Sequence, residues 1–147
     1  MQTQSAAKQH EQIIGTVEGA ALITDALNDG SAHATELRQF ALETAALFRS
    51  GAEQRALGHY IDLLNGFDWL VKALDCTGEA LALDFAREQV GGGTLSRFVD
   101  DLNALLQETM KAQERKDWVL LADLIEYELA PHLEQWRTVF VSLREKV

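Results

Sequence analysis

Apolar residues recur at steps of three and four along almost the whole chain, and nowhere do they alternate with polar ones long enough to suggest a strand. The longest run in a single helical phase is Asp117 to Arg144, where Trp118, Leu121, Ile125, Leu129, Leu133, Trp136, Phe140 and Leu143 fall on one side of a helix. At about 1.5 Å of rise per residue this rod is on the order of 40 Å long. A compact domain of this size has a radius of gyration of about 15 Å, so the rod is expected to cross it and to organise the rest. The sole proline, Pro131, sits inside the run. It removes a backbone donor and crowds the Tyr127 carbonyl, at about 3 kcal/mol in an unbroken helix. Because the apolar phase continues through it, the pattern predicts a kinked but continuous helix, with two helices meeting at Ala130 as the alternative.

The same spacing predicts the other elements. After a polar start (1–6) expected to fray, helix one runs from Ala7 to Asn28 on Ile13, Val17, Ala20 or Ala21, Thr24 and Leu27, and Asn28-Asp29-Gly30 supplies a stop with glycine at the left-handed cap. Ser31 opens helix two, which carries Leu37, Phe40, Ala41, Thr44, Leu47 and Phe48 to about Arg49. Ser50-Gly51-Ala52-Glu53 has the form of a capping box, so helix three starts there and extends to about Cys76 on Leu57, Tyr60, Ile61, Leu64, Phe67, Val71 and Leu74. A short helix around Leu81 and Phe85 and the breaker Gly91-Gly92-Gly93 fill residues 77–95. Helix four begins at Thr94 or Ser96, carries Phe98, Val99, Leu102, Leu105, Leu106 and Met110, and ends in Glu114-Arg115-Lys116, after which Asp117 caps the last helix. The fold class is all-α: an up-and-down bundle of four to five helices in one domain, 1–147.

A second stripe distinguishes the last helix. At about 100° per residue, Leu120, Leu124, Tyr127 and Pro131 lie roughly 130° to 170° from the centre of the main apolar side. Trp69, roughly 140° from Leu64 by the same count, is likewise off its helix's face. Either the domain contacts these helices on two sides, or the residues form a surface for another protein or a second copy of the chain. Trp69, Leu120, Leu124, Tyr127 and Pro131 are thus the candidate partner-binding residues.

Composition narrows the setting. The chain has 147 residues, 47% of them hydrophobic, and is long enough for a core without staples. Cys76 is the only cysteine, which excludes an internal disulfide and fits a reducing compartment. The polar N-terminus has no apolar signal core and no segment reaches the roughly 20 apolar residues of a membrane span, so a soluble, cytoplasmic protein is expected. A formal net charge of -10 argues against nucleic acid as a partner. Lys111, Arg115 and Lys116 do not form a basic patch, because Glu108, Glu114 and Asp117 interrupt them.

Candidate chemistry is sparse. Dinuclear metal bundles carry Glu-x-x-His on two helices, and none of His10, His33, His59 or His132 has an acidic residue three positions before it. Glu128 and His132, at i, i+4, are the nearest approach; with Tyr60 they make the candidate ligand site if the bundle holds a small ligand or metal, whereas a core histidine is the commoner outcome. Gly91-Gly92-Gly93-Thr94 before a helix could cradle an anion, but it lacks the preceding strand and the Lys-Ser/Thr ending of a phosphate loop and reads as a hinge. Cys76 has no signature of a nucleophile around it. No catalytic residue and no cofactor is expected.

Lys116-Asp117-Trp118, Leu121-Ala122-Asp123, Tyr127-Glu128-Leu129-Ala130-Pro131 and Glu134-Gln135-Trp136, together with Leu47-Phe48-Arg49-Ser50-Gly51 and Leu64-Asn65-Gly66-Phe67-Asp68-Trp69-Leu70, resemble an uncharacterised family of small bacterial all-helical proteins. That resemblance implies a helical fold and no particular activity. In length, acidity and helix layout the chain is more distantly similar to the flagellar export chaperones, which implies a bundle that holds another protein. The function expected from the sequence is a non-catalytic interaction module, a chaperone or adaptor.

Overall fold

The computed structural model describes residues 17–147. Its elements are α1 (Val17–Arg49), α2 (Glu53–Ala80), a two-stranded hairpin of β1 (Gln89–Val90) and β2 (Gly93–Thr94), α3 (Leu95–Glu114), α4 (Trp118–Leu124), a π-helical turn (Ile125–Leu129) and α5 (Ala130–Arg144). The last three run on as one rod, so four rods make the expected all-α bundle. Their directions alternate. Along α1 and α2, Phe40 meets His59 and His33 meets Trp69; along α1 and the final rod, Phe48 stacks on Trp118 and Asn28 accepts a hydrogen bond from Arg144. The interfaces of α1 with α2 and α5 are the largest, and α3 lies against the final rod. Hence α1 shares the organising role that the sequence gives to the last helix alone.

Helices one and two of the sequence reading are one helix. Asn28-Asp29-Gly30 does not stop α1, because Gly30 serves packing there instead of a turn. A Cβ at Gly30 would sit 2.9 Å from two ring atoms of Phe140, so the missing side chain is what lets α5 approach. Gly66 plays the same part for Leu37, whose Cδ1 would clash with an added Cβ. An interior glycine costs a helix about 1 kcal/mol, and closer packing of two long helices offsets it. The buried positions of α1 include Ile23, Leu27, Gly30, Ala34, Leu37, Ala41, Thr44 and Phe48, while Val17 is exposed. Of the face assigned to helix one, Leu27 is buried as expected, but Ile23 takes the place given to Thr24 and Val17 is exposed, and Ala7, Ile13 and the polar start lie outside the described residues. In α2, Tyr60, Phe67 and Leu74 are buried as expected, but Leu63 and Leu70 are fully buried too, whereas Ile61 is exposed.

The capping box is also replaced by a different device. Ser50 Oγ donates back to the Leu47 carbonyl at 2.9 Å, and Ala52, which precedes α2, makes no side-chain cap. Instead Ser50 and Gly51 close α1. The Ala52 amide bonds to the Leu47 carbonyl and the Gly51 amide to the Phe48 carbonyl, with Gly51 at φ 82°. This is a Schellman ending, and it occurs three times among the described residues. Leu83 to Gly78 with Ala82 to Glu79 repeats it after α2, and Asp117 to Ala112 with Lys116 to Gln113 repeats it after α3. The left-handed positions there are Ala82 at φ 54° and Lys116 at φ 57°. Left-handed backbone costs a residue with a Cβ roughly 1 kcal/mol or more. Ala82→Gly and Lys116→Gly are each expected to raise stability by about 1 kcal/mol and Gly51→Ala to lower it similarly, as urea unfolding followed by circular dichroism would show.

Residues 77–95 hold no short helix. Helix α2 continues to Ala80, and the Phe85 ring then folds back onto Gly78, where a Cβ would clash with it. Gln89 pairs with Thr94 and Val90 with Gly93, so Gly91 and Gly92 form a two-residue hairpin loop, Gly91 at φ 58°. Thr94 then caps α3, accepting a bond from the Arg97 amide at 3.2 Å.

In the final rod, Asp117 caps the start by accepting from the Leu120 amide at 3.1 Å. The rod passes Pro131 without leaving helical backbone angles, since Leu124, Ile125, Leu129 and Ala130 are all right-handed. At the turn ahead of the proline the Ala130 amide reaches back five residues, to the Ile125 carbonyl. Widening the turn gives the proline ring the room that an ordinary turn denies it at the Tyr127 carbonyl. The continuous helix forms, and a π turn, not a break at Ala130, accommodates the proline. It also keeps Leu121, Ile125, Leu129 and Leu133 fully buried. Three successive steps of four would drift about 40° each around a regular helix; a wider turn cancels the drift.

Candidate functional site

Two places on the described surface are candidates for a functional site. The first is the outer side of the final rod. Val119 is 71% exposed, Leu120 42% and Tyr127 64%, and Pro131 is exposed as well. Leu124 is only partly exposed and packs against the core. Three of the four stripe residues thus share an open face.

Tyr127 is exposed but not loose. The Arg49 guanidinium lies 5.8 Å from the centre of its ring, in range of a cation–π contact. The same guanidinium donates to Asp123 at 2.8 Å and stands 3.6 Å from Glu126. Arg49 comes from the last turn of α1, so the end of one long helix fixes an aromatic side chain on another. Asp123 holds the Arg49 pKa above its ordinary value. No pattern within the last helix reveals Arg49; its part follows from the antiparallel pairing of α1 with the rod.

Trp69 is not part of this face. It is 43% exposed and tilts against His33 of α1 at 4.5 Å between ring centres. His33 and Arg49 stand more than four turns apart on α1, roughly 24 Å at 1.5 Å per residue. Hence Trp69 and Tyr127 occupy separate surfaces.

The ligand-site residues also fall apart. His132 is buried, 6% exposed, and its ring stacks on Phe98 at 4.5 Å and 9°. Glu128, inside the π turn, is exposed, so the two do not face one site. Tyr60 is buried and its hydroxyl meets the Thr109 hydroxyl at 2.9 Å. Burial raises the Tyr60 pKa, and the bond to Thr109 opposes the rise. Thr109 and Phe98 are three turns apart on α3, roughly 16 Å, which separates Tyr60 from His132. Among the described residues no group of three His, Cys, Asp or Glu side chains could hold a metal ion, and Cys76 is exposed.

Neither ring nitrogen of His132 has a hydrogen-bond partner of ordinary geometry, nor has Nε1 of Trp136 beside it. Burial pushes the His132 pKa below 6.5, and the Phe98 backbone and the Asp101 charge oppose this more weakly. Below pH 6.5 the unfolded chain therefore takes up a proton that the folded chain refuses. Stability is expected to fall as the pH drops from 6.5 toward the depressed value. His132→Phe should flatten that acid limb in urea midpoints measured between pH 7.5 and 5.

The second place is a cleft of ≈ 380 Å³ between the hairpin, the first turns of α3 and α5. The glycine hairpin forms one wall, Phe98 and Val139 line it, and Arg97, Asp101, Glu134 and Gln135 supply its polar groups. Glu134 is already tied to Arg137 by bonds of 2.9 and 2.7 Å, which hold its pKa below the usual value. The glycine run is the tip of a paired hairpin, in place of the expected hinge.

Together these features define an all-helical up-and-down bundle with an open apolar face on its final rod. The chain belongs to the DUF8042 family: the model of that family, described as a domain of unknown function, matches residues 25–139. The match starts inside α1 and ends inside α5, so it takes in all four rods and the hairpin. No curated protein and no solved structure matches the chain. Family membership agrees with the uncharacterised helical family expected from the sequence; neither a bacterial origin nor a relation to flagellar export chaperones follows from it. Among the described residues no helix is long and apolar enough to cross a membrane.

Proposed function

We propose that this chain is a protein-interaction module, an adaptor or chaperone without chemistry of its own, and that it docks its partner on the outer face of the final rod. The observation that supports this is the combination at Tyr127: an aromatic side chain 64% exposed, yet held in place by Arg49. Exposed aromatic anchors dominate binding energy at interfaces. An anchor fixed before the encounter loses less freedom on binding. Leu120, Val119 and Pro131 extend the apolar area around it.

Capture from a lysate of the native host, compared between the wild-type chain and Leu120→Asp plus Tyr127→Asp, tests this reading. At least one protein is expected to be retained by the first and lost with the second. Equal recovery of every captured protein by both would contradict it.

A further inference from the structure

We propose that the occupant of this face is a basic amphipathic helix of another protein, an inference that rests on the docking role just assigned to the final rod. Between Trp118 and Pro131 the rod carries Asp123, Glu126 and Glu128 and no lysine or arginine. Arg49 of α1 reaches this face, and two of those carboxylates already share it. Glu128 is exposed and makes no ion pair among the described residues. The apolar centre at Leu120 and Tyr127 therefore has an acidic surround.

That surround disfavours a second copy of the chain. A two-fold dimer would press the same patch against itself, bringing two sets of Asp123, Glu126 and Glu128 into one interface. Each chain would also bring a formal charge of -10. Like charges across an interface suppress association, whereas lysine or arginine on the partner would satisfy Glu128 and speed the encounter.

The backbone narrows the partner's form. This part of the rod is helical, so it presents no strand edge to which a partner strand could add. Docking must proceed through side chains. From Leu120 to Pro131 the face is about 16 Å long at 1.5 Å per residue, which matches three turns of a partner helix presenting apolar residues at i, i+3/i+4 and i+7.

A display library of helical peptides with randomised surface positions, panned on the full-length chain and counter-selected on Leu120→Asp plus Tyr127→Asp, tests this. Enriched helices are expected to carry an apolar stripe flanked by lysine or arginine, and Glu128→Lys in the target should weaken their binding tenfold or more. Because Glu128 is exposed and unpaired, that variant should leave the melting temperature unchanged. Enriched helices that depend on Leu120 and Tyr127 but are neutral or acidic, or that ignore Glu128→Lys, would overturn the basic-helix inference and leave the docking role standing. Absence of any helix that depends on Leu120 and Tyr127 would overturn both. Light scattering that shows a dimer abolished by Tyr127→Asp would replace the helix with a second copy.

Discussion

Trp136→Ala is expected to lower the stability by about 3–5 kcal/mol, the range for emptying a large aromatic site in a packed core. Trp136 is fully buried and heads the largest buried side chains of the bundle. Its ring lies 4.9 Å from Phe98 of α3 and 5.8 Å from Phe140, which in turn sits on Gly30 of α1. A cavity at this point removes contacts between α3 and the final rod, beside the place where Phe140 packs on Gly30 of α1. Trp136→Phe separates volume from polarity. It also leaves a void, but it deletes an indole N–H that has no hydrogen-bond partner and whose burial costs about 1–3 kcal/mol. The phenylalanine variant should therefore lose much less than its volume change alone implies. Urea midpoints of the two variants would check both statements.

How far the sequence carries the fold can be judged from these same residues. Trp136, Phe140, Leu129 and Leu133 are read correctly as core because their spacing is long and regular, and burial of one helix side follows from that alone. The ends of elements are read less well. Asn28-Asp29-Gly30 looks like a stop because local propensity favours one, but the demand comes from Phe140, more than a hundred residues away, which a local window does not contain. Ser50-Gly51 is assigned to the start of a helix when it closes the previous one, since Ser and Gly suit both ends. The glycine run is seen as a breaker but not as a hairpin loop, because two-residue strands are too short to alternate.

The open face was legible in part. Leu120, Tyr127 and Pro131 stand out from the spacing, but Leu124 is grouped with them only if the helix keeps its ordinary pitch. The signal for the widened turn is present as Leu121, Ile125, Leu129 and Leu133, three steps of four in succession just before a proline. Arg49 carried no such signal, since its role depends on which helix packs where. The separation of Glu128 from His132 and of Trp69 from Tyr127 has the same origin: sequence spacing assumes one pitch and says nothing of the packing of rods.

The position of the final rod's two sides can be tested by placing a charge on each. Leu129 is fully buried on the inner side and Tyr127, two residues earlier, is on the outer side. An aspartate at a dry core position brings an unpaired charge that must be buried, protonated or hydrated by unfolding, at several kcal/mol. On the outer side the same aspartate stays in water, where surface substitutions usually change stability by about 0.5 kcal/mol or less; the loss of the Arg49 contact adds little at so exposed a site. Leu129→Asp is accordingly expected to be among the most damaging single changes in the chain.

The most direct measurement is the pair of urea midpoints for Tyr127→Asp and Leu129→Asp beside the wild type, at pH 7. A rod running through Pro131 on a π turn, with Tyr127 outward and Leu129 inward, gives a midpoint within error of wild type for the first and a loss of several kcal/mol, or no folded state, for the second. A large loss from Tyr127→Asp, or a near-native midpoint for Leu129→Asp, would contradict it.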